Sequence, residues 1–143
     1  MPKHDGPVKD EVPIKYDGYL NVLFVADLDR ARDFYQNVMG LQYVHGEVGV
    51  DAYFKIGPDG LMLIAHDVAD DLLSPADVDH EPARGARAVI ATDVGDVDAA
   101  YEELRARGAE FIRAPEDRPW GLRCAHLKDP DGNVWEIHAV SGR

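Results

Sequence analysis

The sequence predicts an α+β fold made of two tandem βαβββ modules, and three observations carry that reading. Pro58-Asp59-Gly60 and Pro130-Asp131-Gly132 lie 72 positions apart (130 − 58), and the segments after them run in step to His66 and His138. Asp27 and Asp96 lie 69 positions apart (96 − 27). Each follows a short apolar run and precedes an amphipathic stretch that ends at a glycine, Gly40 or Gly108. Two matches in the same order at nearly the same offset mark one duplication. In each copy one stretch has the period of a helix, and the others are short apolar runs of strand length.

The elements follow in order. Residues 20–25 form the first strand, and Asp27 caps the helix after it by accepting from free first-turn amides. Leu28, Ala31, Phe34, Tyr35 and Val38 then share one helical face, and Gly40 stops the helix. Strands are predicted at residues 41–45, 50–56 and 61–66, with Pro-Asp-Gly turning the last pair. Proline sets φ in such a turn and glycine takes φ > 0. The second copy has a strand at 87–91, a cap at Asp96 and a helical stripe of Val97, Ala100, Tyr101 and Leu104. Strands at 110–113, 122–127 and 133–139 complete it.

Two segments fall outside the repeat. Residues 1–18 carry Pro2, Pro7 and Pro13 and read as an N-terminal arm. Residues 67–84 hold Asp67, Asp70, Asp71, Asp77, Asp79 and Glu81, with no Lys or Arg before Arg84, and read as a solvated acidic linker. The expected layout is an arm at 1–18 and one domain over 19–143, with modules at 19–66 and 85–140 joined by that linker.

At 143 residues the chain is long enough for one such domain. Its formal net charge of −12 disfavours nucleic acid, whose phosphates require clustered Lys and Arg. The same charge suits a cationic small ligand drawn in by the field. No apolar run reaches the roughly 20 residues of a membrane span, and the N-terminus lacks a signal-peptide core. The expectation is a cytoplasmic protein with no membrane partner. Cys124 is the lone cysteine and has no internal disulfide partner.

The stretches VADLDRARDFYQNVMGL (residues 25–41) and DPDGNVWEI (residues 129–137), set in a duplicated βαβββ frame, resemble the vicinal oxygen chelate superfamily. That group includes glyoxalase I, bleomycin resistance proteins, extradiol dioxygenases and fosfomycin resistance enzymes. The resemblance covers roughly residues 19–140. It implies curved mixed sheets around a concave pocket, helices on the convex side, and a homodimer. It also implies four ligand positions in metal-dependent members, one in the first and one in the last strand of each half. Here they fall on Leu20, Ile64, Val89 and Glu136. Three of the four are apolar, whereas a catalytic metal needs about three protein donors. No metal and no cofactor are therefore expected. The implied function is metal-independent sequestration of a small organic ligand, cationic or aromatic, as in bleomycin resistance proteins. The alternative is a glyoxalase-type lyase, isomerase or dioxygenase that uses a divalent metal or acid/base chemistry at Glu136.

Strand alternation sorts the candidate ligand-binding residues. If Glu136 faces the pocket, Val134 and His138 join it, and Trp135 and Ile137 face the helices. Repeat symmetry adds Met62, Ile64 and His66, and Phe24 shares a face with Leu20 and Val22. The candidates are Phe24, His66, Trp120, Arg123, Glu136 and His138. Glu136 has three readings: a ligand-facing acid, a structural acid bonded to Arg123 or another donor, or a relic of a metal site. An unpaired buried carboxylate is costly, so Glu136 must find a partner or take a raised pKa. His66, His126 and His138 are the histidines that an unorthodox cluster around it would use. Trp120 serves either as a stacking surface or as a plug at one end of the core. No nucleophilic triad and no phosphate-cradling loop is present, and no catalytic residue is assigned.

Overall fold

Asp27 and Asp96 both cap helices, and each cap marks where its module turns from strand to helix. In the computed structural model, which describes residues 14–142, Asp27 accepts from the Arg30 amide and Asp96 from the Ala99 amide, both at 3.0 Å. Most of the expected arm, residues 1–13, lies outside the described residues. The first module runs β1 (Asn21–Val25), α1 (Leu28–Asp33), a π-helical turn (Phe34–Val38), β2 (Gln42–His45), β3 (Asp51–Ile56) and β4 (Asp59–Ala65). The second runs β5 (Val89–Asp93), α3 (Val97–Ala106), β6 (Glu110–Asp117), β7 (Leu122–Lys128) and β8 (Val134–Val140). Between them lie α2 (His66–Leu72) and a 3₁₀ turn (Pro75–Asp77). The sheets have the orders β1-β4-β3-β2 and β5-β8-β7-β6, parallel at β1–β4 and β5–β8 and antiparallel elsewhere.

One face of each sheet enters a single shared core. Val25, Tyr35, Phe54 and Leu63 of the first module meet Leu104, Leu127, Trp135 and Ile137 of the second. The modules are also joined by a buried polar chain. The Trp135 indole N–H donates to the Tyr35 hydroxyl at 3.0 Å, and that hydroxyl donates to Asp129 at 2.5 Å. Asp129 further accepts from the Asp131 and Asn133 amides and the Asn133 side chain, at 2.8 to 2.9 Å. A carboxylate that is 5% exposed thereby has every visible lone-pair direction used.

Four local expectations change. The two Pro-Asp-Gly segments do not turn alike. Gly132 takes φ +85°, whereas in the first copy Gly57 takes φ +55°. Gly57-Pro58 is the two-residue loop, with glycine first as in a type II′ hairpin, while Asp59 and Gly60 already pair with Ile56 and Lys55. β5 lies two residues later than predicted, because its register places Ala91 beside Glu136, just as Phe24 lies beside Ile64. Val89 pairs with Val134, two residues along the same face from Ala91. β6 extends to Asp117 through irregular pairing with β7.

The fourth change concerns the linker, which is not simply solvated. Val68, Ala69 and Val78, interleaved with its acids, pack on Phe24, Met62 and Ile64. α2 therefore covers the face of the first sheet that points away from the shared core. The corresponding face of the second sheet carries no such helix among the described residues.

Candidate functional site

Glu136 lies in β8 between Trp135 and Ile137, which are 0% and 1% exposed in the core. Alternation therefore sends its side chain out on the uncovered face of the second sheet. The β7–β8 register places His126 directly opposite it, and His138 follows two residues later on the same face. His126 Nε2 lies 2.9 Å from Glu136 Oε1, and His138 Nδ1 lies 2.7 Å from Oε2. An ionised carboxylate only accepts, so both of these ring nitrogens carry the hydrogen. The second ring nitrogen of His126, Nδ1, is buried with no partner among the described residues.

Burial pushes the Glu136 carboxyl up, but hydrogen bonds from His138 and His126 and their charge outweigh it, and the pKa falls below the usual glutamate value. Of the two outcomes open to a buried acid, Glu136 found partners. A folded-state pKa below the unfolded one contributes stability that is fully present above the ordinary glutamate pKa, about 4.3, and lost as pH falls through the depressed value. The expected result is that Glu136→Gln removes part of the loss of stability seen on acidification below about pH 5. Urea midpoints measured from neutral to acid pH check this, and identical pH profiles for the two proteins would exclude it.

The other candidates do not gather here. Phe24 is packed under α2 beside Ile64, in an apolar cluster rather than an open pocket. His66 opens α2 and meets His80 edge-on at 5.2 Å, so the symmetry with His138 breaks where the second strand continues and the first becomes helix. Arg123 does not reach Glu136. Its guanidinium holds Asp98 at 2.8 and 2.9 Å and Asp117 at 3.2 Å, tying α3 to the end of β6. Trp120 is 68% exposed on the β6–β7 turn, so it plugs neither end of the core. Cys124, opposite His138, is buried, and burial and the Glu136 charge push its thiol pKa up. That is the reverse of what a reactive thiolate needs.

The residues at the four family ligand positions do not fit a metal. Leu20 and Val89 are exposed aliphatic side chains, and Ile64 is buried under the linker. Both oxygens of Glu136 are engaged by histidines of the same sheet. Among the described residues, no three His, Cys, Asp or Glu converge on one metal position.

The six candidates omitted His126 as a site residue. Pairing residues outward from the Asp131 turn would have placed it opposite Glu136, with Lys128 opposite Val134. Beside His126 lies an open pocket of about 350 Å³ with apolar walls from Ile112 and Val134. Arg84, Arg113 and Lys128 also line it, and no acidic residue does. The cationic ligand expected from net charge therefore finds no counter-charge in this pocket.

Comparison with known proteins places the chain among relatives of this architecture. The model of the Glyoxalase/Bleomycin resistance protein/Dioxygenase superfamily matches residues 18–137. A glyoxalase/bleomycin resistance protein/dioxygenase from Nocardioides is 30% identical, with a TM-score of 0.77 over 92% of this chain and 89% of that one. The uncharacterized protein YraH of Bacillus subtilis is 28% identical over 121 residues, 82% of this chain and 94% of its own length. A lactoylglutathione lyase from Agrobacterium tumefaciens, 24% identical with a TM-score of 0.68 over 89% and 95% of the two chains, shares the fold.

Proposed function

This chain belongs to the glyoxalase/bleomycin resistance protein/dioxygenase superfamily, and on that premise we propose that it is a metal-independent protein that binds a small organic molecule. The site is the uncovered face of the second sheet, around His126, Glu136 and His138. One observation carries the reading: Glu136, the lone acid among the four ligand positions, is clamped by two histidines while the other three positions are Leu20, Ile64 and Val89. Among the described residues, a Lewis-acid step has no donor set to support it.

A second copy completes the site. The first sheet's outer face is covered by α2, whereas among the described residues no helix covers the corresponding face of the second sheet. Val22, Val89 and Val140 share the outward alternation of the two sheets and are 39%, 47% and 50% exposed. We propose that these apolar faces meet in a homodimer.

A melting-temperature series tests the binding reading. The expected result is no change on chelation or on addition of zinc, nickel or manganese, and a rise with a bound organic ligand, since a ligand saturating the native state at 100 Kd adds about 2.7 kcal/mol. His126→Ala, which changes the pocket lining, is expected to reduce the ligand-induced rise. Near-stoichiometric metal in the purified protein, with melting temperature lost on chelation, would overturn the proposal. The hydrogen-bonded array favours one second reading, metal-free proton transfer through Glu136 and its histidines. Turnover that falls at least about 100-fold in Glu136→Gln would select it.

A further inference from the structure

We propose that the pocket beside His126 takes an organic anion, an apolar body ending in a carboxylate. This inference rests on the small-molecule reading above and names its ligand class. Arg113 on β6 pairs with His126 on β7, and Lys128 follows two residues later, so all three point to the face that carries Glu136. Arg84 reaches the same pocket from the segment after the linker. One nitrogen of Arg113 holds Glu116 at 2.8 Å, which leaves most of its donor fork free. Among the described residues, Arg84 and Lys128 make no ion pair.

The rest of the lining is apolar or small, with Val134 8% and Ile112 47% exposed. A partly enclosed apolar surface bordered by Arg84, Arg113 and Lys128 is matched by an amphiphilic anion. Its carboxylate forms charge-assisted hydrogen bonds, and its body displaces water from Ile112 and Val134. A cationic ligand would meet like charge on several sides. The net charge of −12 does not reverse this, because charges spread over the surface are screened beyond about 8 Å at physiological salt. Glu136 lies beyond His126 with its oxygens already taken, so it does not act as the counter-charge of this pocket.

The test is a titration of the ¹⁵N-labelled full chain with phenylacetate, its neutral isostere phenylacetamide, and benzylamine, at constant ionic strength. Phenylacetate is expected to shift the amides of Ile112, Gly132 and Val134 and to bind at least about tenfold tighter than phenylacetamide. Benzylamine is expected to bind more weakly still. Lys128→Met and Arg84→Met should each weaken phenylacetate at least about fivefold while leaving phenylacetamide unchanged, and Lys128→Arg should largely restore it. Unperturbed spectra away from the pocket confirm that each variant folds. Preference for benzylamine or phenylacetamide at these amides, or phenylacetate shifts confined to other residues, would overturn the anion assignment and leave the small-molecule reading standing. Silence from all three probes across the whole outward face would overturn both.

Discussion

Asp129→Ala is expected to destabilise the protein by about 3–5 kcal/mol, the loss that follows when a buried hydrogen-bond network is cut. Asp129 receives the Tyr35 hydroxyl, two backbone amides and the Asn133 side chain from a site that is 5% exposed. Alanine leaves these donors without an acceptor, and Tyr35 is itself 0% exposed, so water does not replace the lost partner. Burial, then the neighbouring Asp129 charge, pushes the Tyr35 pKa well up, which keeps that hydroxyl a donor. Tyr35→Phe removes one bond at each end of the chain and is expected to cost about 1–3 kcal/mol. The double variant should cost less than the sum of the two, because the groups share one network. Urea unfolding of the three variants measures this. A loss below about 0.5 kcal/mol for Asp129→Ala, the level of an ordinary surface change, would show that the network does not join the modules. The consequence reaches the site, since Asp129 shapes the turn whose register brings His126 opposite Glu136.

Val22→Asp combined with Val89→Asp is expected to separate the proposed homodimer into monomers. The two residues lie on the outward faces of the first and second sheets. Within a two-fold interface each change enters twice, so the pair introduces four carboxylates into the contact. Burying charges without partners costs several kcal/mol, and a dissociation constant raised about 1,000-fold corresponds to about 4 kcal/mol. Sedimentation velocity across a concentration series reads the change directly. Val48→Asp, at a position 95% exposed in the β2–β3 loop, serves as the control and should leave the assembly intact. Wild-type protein that sediments as a monomer at tens of micromolar would exclude a homodimer of functional strength.

Much of the architecture could be read from residue order because its causes are local. The Asp27 and Asp96 caps act within one helical turn, and the burial of Val97 and Leu104 on one side of α3 follows from 3.6 residues per turn. The burial of Trp135 against the outward turn of Glu136 follows from the two-residue strand period. Where chain counting had to bridge a loop, it slipped. Residue order placed β5 at residues 87–91, whereas it runs Val89–Asp93 and sets Ala91 beside Glu136. His66 went astray because apolar positions in an acid-rich segment were enough to fold α2 onto the first sheet.

By itself, then, the sequence determined the duplicated module, the capped starts of α1 and α3, and the strand parity that sets Glu136 on the face opposite Trp135. Those depend on backbone periodicity and on hydrogen bonds that span a few residues. Only the tertiary structure decided what Glu136 meets there. His126 arrives across a hairpin whose register is set by Asp129, and Arg123 is drawn away to Asp98 on a helix 25 positions earlier in the chain. The cations beside His126 come from three separate segments, so their combined charge exists only after folding. A side chain's partner is chosen by register and packing between distant segments, and that is why a carboxylate among aliphatic residues reads as a metal ligand in the sequence but stands between two histidines in the fold.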